Sequence, residues 1–249
     1  MRCIVLKAEG PAFSAGHNLK EMTHKEGRAY HEEIFKKCNS LMFTIVKSPV
    51  PIIAQVDGIA AAAGCQLVSI CDIAIATSTS KFSVPGASVG LFCSTPGIPL
   101  ARCGWKIWII FCEIIVFNLC WFRSVPRKVA AYMLFTGKPI TASEALNSGL
   151  ISKMVSSKED LEQEIESTCQ AIISKPRGVI ALGKRFYYQQ LEMGLTEALE
   201  EGGQVMVDNL QLKDCQEGIR AFIQKDHPKW SHTEDTYDKW LWRLCQEIV

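Results

Sequence analysis

The sequence predicts an α/β fold with parallel strand pairing. Two observations predict it. Short apolar runs are closed by Gly, Pro or Asp-Gly, and stretches of helical periodicity lie between them. Strands that alternate with helices in this way pair in parallel and bury both faces of their sheet.

The elements follow in order. Arg2 to Ala8 is a short apolar run stopped by Gly10-Pro11, hence a strand and a turn. Leu19 to Val46 reads as helix, interrupted near Gly27, with Ile34, Cys38, Leu41 and Ile45 near helical spacing. Ser48-Pro49-Val50-Pro51 ends it. Ile52 to Val56 is a strand stopped by Asp57-Gly58. The small residues from Ile59 to Gly64 permit close backbone approach, and helix runs from there to about Cys71. Asp72 to Thr77 and Lys81 to Ser83 are short strands, and Val84 to Gly97 is loop or broken turns. Thr141-Ala142-Ser143-Glu144 has the form of a capping box, opening a helix that Gly149 closes. Leu150 to Val155 is strand-like; Leu161 to Ser174, Gly178 to Met193 and Leu195 to Ile223 are helical.

Composition bounds the function. A chain of 249 residues suits one domain with a sizeable core, or a domain with a small appendage. Hydrophobic residues at 48% and charged residues at 21% are values for a globular chain. The net charge of +1, without a long basic run, argues against nucleic acid as partner, although a small anionic ligand needs only a few local cations. Eleven cysteines without paired Cys-x-x-Cys spacing read as buried thiols, not as a zinc site or a disulfide framework. The chain opens directly on a strand, with no targeting segment in front of it.

Residues 103–124 stand apart. From Trp105 to Phe122 the chain is almost wholly apolar and holds three of the six tryptophans. Three readings are open: a membrane span, a buried core helix, or an intrusion such as translated non-coding sequence. A span would bury Glu113 and Asn118 in the membrane at a cost of some kcal/mol, which makes membrane attachment the weaker reading.

Three blocks carry a resemblance. The first is Ala12-Phe13-Ser14-Ala15-Gly16-His17-Asn18-Leu19-Lys20-Glu21. The second runs from Asp57-Gly58-Ile59 through Ala60-Ala61-Ala62-Ala63-Gly64-Cys65-Gln66-Leu67 to Cys71-Asp72, and the third is Gln216-Glu217-Gly218-Ile219-Arg220-Ala221-Phe222. In this order they resemble the enoyl-CoA hydratase/isomerase (crotonase) family, over nearly the whole chain to about Trp230. The resemblance implies a crotonase-like spiral ββα core over residues 1–190, interrupted by the apolar insert 103–124. It also implies a C-terminal helical oligomerisation region over 191–230, followed by an unassigned tail, 231–249. It implies a chain shortened at its N-terminus, with Arg102 meant to run almost directly into Val125. A mitochondrial location and assembly into homotrimers or hexamers are further implications.

The resemblance also implies a site. The family's reaction lets negative charge form on a thioester oxygen held by two backbone N–H groups. Here these would be the amides of His17 and Ala63. Gly16 allows a sharp turn after a strand, and Ala63-Gly64 opens a helix, where free amides favour an oxyanion. The bland alternative is a tight strand-to-helix junction without ligand. Hydratases add two glutamates, one at the position of Gln66 and one at that of Gly86. Glutamine can hold a water but cannot take its proton, and glycine has no side chain. The isomerase position, around Cys93-Ser94-Thr95, has no carboxylate either, and no Asp or Glu occurs between Asp72 and Glu113. The His17 ring, Cys93 and Ser94 are better read as local packing groups than as catalysts. Asn18, Leu19, Lys20 and Gly64 would contact the substrate, and Phe222 with Lys225 would lie near the adenine of coenzyme A, often across subunits. A solvated lysine is the alternative for Lys20 and the better reading for Lys225. Coenzyme A belongs to the substrate, and neither a separate cofactor nor a metal is implied.

The sequence therefore predicts an acyl-CoA thioester-binding protein, linked by resemblance to fatty acid metabolism, with weak or no enoyl-CoA hydratase activity. An active enzyme of another crotonase branch, a non-catalytic mitochondrial scaffold or regulator, and a membrane-attached product of the insert are the alternatives.

Overall fold

The computed structural model describes residues 1–102 and 125–233. The apolar insert 103–124 and the tail after residue 233 lie outside the described residues, and so do the three readings of the insert. The chain forms two compact units. One comprises Ile4–Ser48 and Ile52–Ser167, the other Met1–Cys3, Pro49–Pro51 and Thr168–Val249.

The first unit is a coil of ββα turns. Strands β1 (Ile4–Leu6) and β2 (Ala12–Ser14) precede helix α1 (Arg28–Lys47). Strands β3 (Ile52–Val56) and β4 (Ile59–Ala61) precede α2 (Ala63–Ile70). Strands β5 (Ile73–Thr77) and β6 (Lys81–Ser83) lead into α3 (Ser94–Arg102) and α4 (Val125–Thr136). Strand β7 (Ile140–Thr141), helix α5 (Ala142–Asn147) and strand β8 (Lys153–Val155) close the coil. Each turn lays one strand into each of two sheets, ordered β1-β3-β5-β8 and β2-β4-β6-β7. The pairing is parallel throughout, with Ile4 beside Ile52 and Ile53 beside Ile73, except where β7 runs antiparallel to β6.

Apolar burial holds the coil. Ile53, Val56, Ala60, Ile75, Ala76 and Phe82 are fully buried. Each large one contributes about 1.5–3 kcal/mol relative to an exposed side chain. Polar ties fix the spacing between turns. The Asp72 carboxylate accepts a hydrogen bond from the Ile52 amide at 2.7 Å. The Thr77 hydroxyl donates to Asp57 Oδ1 at 3.1 Å, and Ser80 Oγ donates to the Val56 carbonyl at 3.2 Å.

The structure departs from the sequence reading in a few elements. Strands β2, β4 and β7, at most three residues long, have no strand signal of their own in the sequence and are set by pairing with their neighbours. Helix α3 begins at Ser94, inside the stretch read as loop, with Pro96 in its first turn and Pro99 within it. The segment read as helix from Leu19 begins as two short 3-10 turns, Leu19–Met22 and His24–Glu26, and becomes α-helical only after Gly27. The capping box is present: Glu144 N donates to Thr141 Oγ1 at 3.2 Å, and Thr141 N donates to Glu144 Oε2 at 2.7 Å.

After α6 (Lys158–Ile173) the chain continues with α7 (Arg177–Gln190), α8 (Leu195–Leu210) and α9 (Lys213–Gln224). The stretch read as one helix from Leu195 to Ile223 is thus two, parted at Gln211-Leu212. The second unit is pinned by buried polar groups. Lys184 donates from its ammonium to the Val50 carbonyl at 3.0 Å. Asp214 accepts from Ser231 N and Ser231 Oγ, both at 2.7 Å, and from His232 N at 2.9 Å. No helix among the described residues is long and apolar enough to cross a membrane.

Candidate functional site

The site is built where the end of β2 meets the start of α2. Strand β2 lies beside β4, with Ser14 opposite Ala60. Three residues after Ala60 the chain turns into α2, so the helix opens against the segment that leaves β2. Gly16 has φ +89°, and Ser14 Oγ accepts a hydrogen bond from its amide at 3.2 Å. A Cβ on Gly16 would sit 2.9 Å from Ala62 Cβ and 3.1 Å from Ala63 N. A Cβ on Gly64 would sit 2.5 Å from the Ser14 carbonyl oxygen. Neither position has room for a side chain. The peptide that follows Gly16, carrying the His17 amide, is therefore held beside the first turn of α2.

Two residues of this junction escaped the sequence reading. Ser14 caps the turn and floors the helix. Ala62, the residue before α2, has φ 49° and ψ −119°, a backbone conformation rare for a residue with a side chain. Its amide donates to the Ser83 carbonyl at 2.9 Å, and its carbonyl accepts from Gln66 N at 3.0 Å. These bonds at both ends hold Ala62 in place. In a run of four alanines, nothing marks which one carries the strain.

The first-turn amides of α2, Ala63 N among them, have no acceptor within the helix, and the helix dipole adds partial positive charge there. Such a junction can hold an oxyanion between two peptide N–H groups.

The other predicted residues fall as follows. The His17 ring stacks edge-on against Phe35 of α1, with centroids 5.5 Å apart. Its Nε2 is buried and has no hydrogen-bond partner among the described residues. Asn18 is used locally, accepting from Lys20 N at 3.2 Å and donating to Glu21 Oε1 at 2.7 Å. Leu19 and Lys20 are exposed beside it. Gln66 lies one turn into α2 and is only 4% exposed, with Oε1 lacking a partner among the described residues. Gly86 is buried in the turn after β6, where its carbonyl accepts from Leu91 N at 2.8 Å. Its amide donates to Cys93 Sγ at 3.3 Å. Cys93 and Ser94 thus serve the loop and the start of α3. Phe222 and Lys225 lie in the second unit, at the end of α9 and both exposed, Lys225 with φ 55°.

Comparison with known proteins agrees with this fold. The family model described as enoyl-CoA hydratase/isomerase matches residues 1–101 and 111–233. The enoyl-CoA hydratase domain-containing protein 3, mitochondrial, of Rattus norvegicus is 51% identical over 232 residues, covering 93% of this chain and 70% of the relative. The protein of the same name from Danio rerio is 42% identical, covering 94% and 74%. The crystal structure of human enoyl coenzyme A hydratase domain-containing protein 3 superposes with a TM-score of 0.82 at 48% identity, covering 92% of this chain and 82% of that one. An enoyl-CoA hydratase from Mycobacterium smegmatis gives a TM-score of 0.81 at 40% identity, covering 93% and 81%. With its ββα coil, its glycine-packed junction and this extent of match, the chain belongs to the enoyl-CoA hydratase/isomerase, or crotonase, family.

Proposed function

We propose that this protein binds acyl-CoA thioesters and holds the thioester oxygen with the amides of His17 and Ala63. We propose further that it hydrates enoyl-CoA weakly or not at all. The observation that carries the first part is the junction itself, where a Cβ on Gly16 would stand 3.1 Å from Ala63 N, so the segment that carries the His17 amide packs on the start of α2. The second part rests on the residues at the two glutamate positions. Gln66 takes no proton near neutrality. At Gly86 a Cβ would meet the Leu91 carbonyl oxygen at 2.0 Å and Cys93 Sγ at 2.7 Å, so the loop is closed against any side chain.

Asn18, Leu19, Lys20 and Gly64 frame the thioester end of the ligand, and Lys20 supplies a cation for its phosphates. Phe222 and Lys225 are proposed adenine contacts, completed in a homotrimer or hexamer. A mitochondrial location is supported by the names of the relatives, several of which are called mitochondrial; the role in fatty acid metabolism is proposed from the family resemblance alone. A second reading, an active enzyme of another crotonase branch, draws on the same junction, because polarising a thioester needs no carboxylate. An oxyanion site stabilises enolates. Titration with acetoacetyl-CoA is therefore expected to raise the enolate absorbance of the bound ligand. A folded protein that binds no acyl-CoA at millimolar concentration would replace this reading with a scaffold role.

A further inference from the structure

Helix α4 hides only one of its faces. Ala130, Met133 and Leu134 are buried. Leu134 packs on α3, where a Cβ on Gly97 would meet its Cδ1 at 3.3 Å. The opposite face carries Lys128, Tyr132 and Phe135, at positions i, i+4 and i+7, and all three are exposed. Phe135 is 72% exposed, and its ring lies beside that of Phe92, with centroids 6.1 Å apart. Leu91, next to Phe92, and Ile98 of α3, against which α4 packs, are exposed as well. The inner face of α4 is already full, so the helix cannot roll to hide these rings. A contiguous apolar surface of this kind marks a docking face.

Charge identifies what it fits. The whole chain is close to neutral, at +1, but this face is not. Residues 73–102 and 125–143 contain no Asp or Glu, while Arg127, Lys128 and Lys138 are exposed. None of the three forms an ion pair with a described residue. Exposed aromatic and aliphatic side chains ringed by cations, with no carboxylate among them, complement an apolar layer bounded by negative charge. We propose that this face docks on an anionic lipid bilayer. Phe92 and Phe135 enter the boundary between headgroups and acyl chains. Lys128 lays its stem along them and holds its ammonium, with Arg127 and Lys138, at the lipid phosphates. The contact is a surface one and needs no spanning segment. It is independent of acyl-CoA binding. A second copy of the chain fits less well, because a two-fold contact here would set the cations against their own images.

The test is sedimentation of the full chain with phosphatidylcholine vesicles, with and without about one third phosphatidylglycerol. Binding to the anionic vesicles is expected to be at least about ten-fold stronger, and to fall as NaCl rises from about 0.1 to about 0.5 M. Phe92→Ser with Phe135→Ser, and separately Arg127→Glu with Lys128→Glu, are each expected to lower it on the order of ten-fold. All four side chains are exposed, so both variants are expected to keep the melting temperature of the unaltered protein. Both also keep residues 103–124, so binding through that apolar stretch would survive the substitutions and overturn the proposal. Equal binding to neutral and anionic vesicles would overturn it too. Light scattering without vesicles tests the other occupant. If the unaltered chain self-associates and the phenylalanine variant does not, the face joins copies of this chain and the bilayer proposal falls.

Discussion

A Cβ on Gly86 would stand 2.0 Å from the carbonyl oxygen of Leu91. The loop after β6 is closed on itself by the bond from Leu91 N to the Gly86 carbonyl at 2.8 Å and by the bond from Gly86 N to Cys93 Sγ. Even a methyl group must push backbone aside. Gly86→Ala is expected to destabilise the protein by about 1–3 kcal/mol, read from the urea unfolding midpoint. Gly86→Glu is expected to cost more, so placing glutamates at 66 and 86 together is expected not to give efficient hydration. An unchanged midpoint in Gly86→Ala would show that the loop yields.

Glycines in this chain differ in what surrounds them. A Cβ on Gly64 would run into Ser14, and one on Gly16 into Ala62. Gly64→Ala and Gly16→Ala are expected to lower acyl-CoA affinity at least ten-fold and to lower stability, because each separates the two peptides of the site. Gly183 lies inside α7 with open space where a Cβ would be. Gly183→Ala is expected to raise stability by about 0.5–1 kcal/mol and leave binding alone. Thermal melts and titration of the three variants separate the two cases.

Ala62 holds a conformation that glycine adopts freely, with φ 49° and ψ −119°. Ala62→Gly is expected to remove about 1 kcal/mol of strain and to raise the melting temperature. It also loosens the peptide that carries Ala63 N, so acyl-CoA affinity falls as stability rises. A variant that gains both would show that the strain has no part in binding.

The C-terminal unit has its own pH dependence. Burial pushes the Asp214 carboxyl up, but hydrogen bonds from Ser231 Oγ, Ser231 N and His232 N outweigh it and leave it below the usual carboxylate range. Glu217 is held down at about 2, first by its hydrogen bonds with Arg220 and then by the Lys229 amide. Both folded values lie below those of an unfolded chain, about 4. Their stabilisation is therefore complete above about pH 5 and is lost as pH falls from there toward 2. Asp214→Asn keeps the side-chain volume but weakens the three accepted bonds. It is expected to flatten the acid limb of a plot of unfolding midpoint against pH. An unaltered acid limb would place the titration elsewhere.

Much of this was legible in the sequence because each signal was local. The run Ile52 to Val56 and the capping box at Thr141 carry their own physics, and both stand where the residues put them. The blocks around Gly16 and Gly64 pointed to one another only through family resemblance, and the structure brings them into contact. Long-range pairing left no local trace. Strands β2, β4 and β7 exist because neighbours hydrogen-bond to them, not because of their composition. The strain at Ala62 and the orphaned oxygen of Gln66 depend on what surrounds them in space.

The proposed function is a thioester site without hydratase carboxylates. The most direct measurement follows crotonyl-CoA with the purified protein, reading binding by titration and hydration by loss of the enoyl absorbance. Saturable binding with hydration at or near the uncatalysed rate is expected. Efficient hydration would contradict it and would require a proton acceptor other than Gln66 and Gly86.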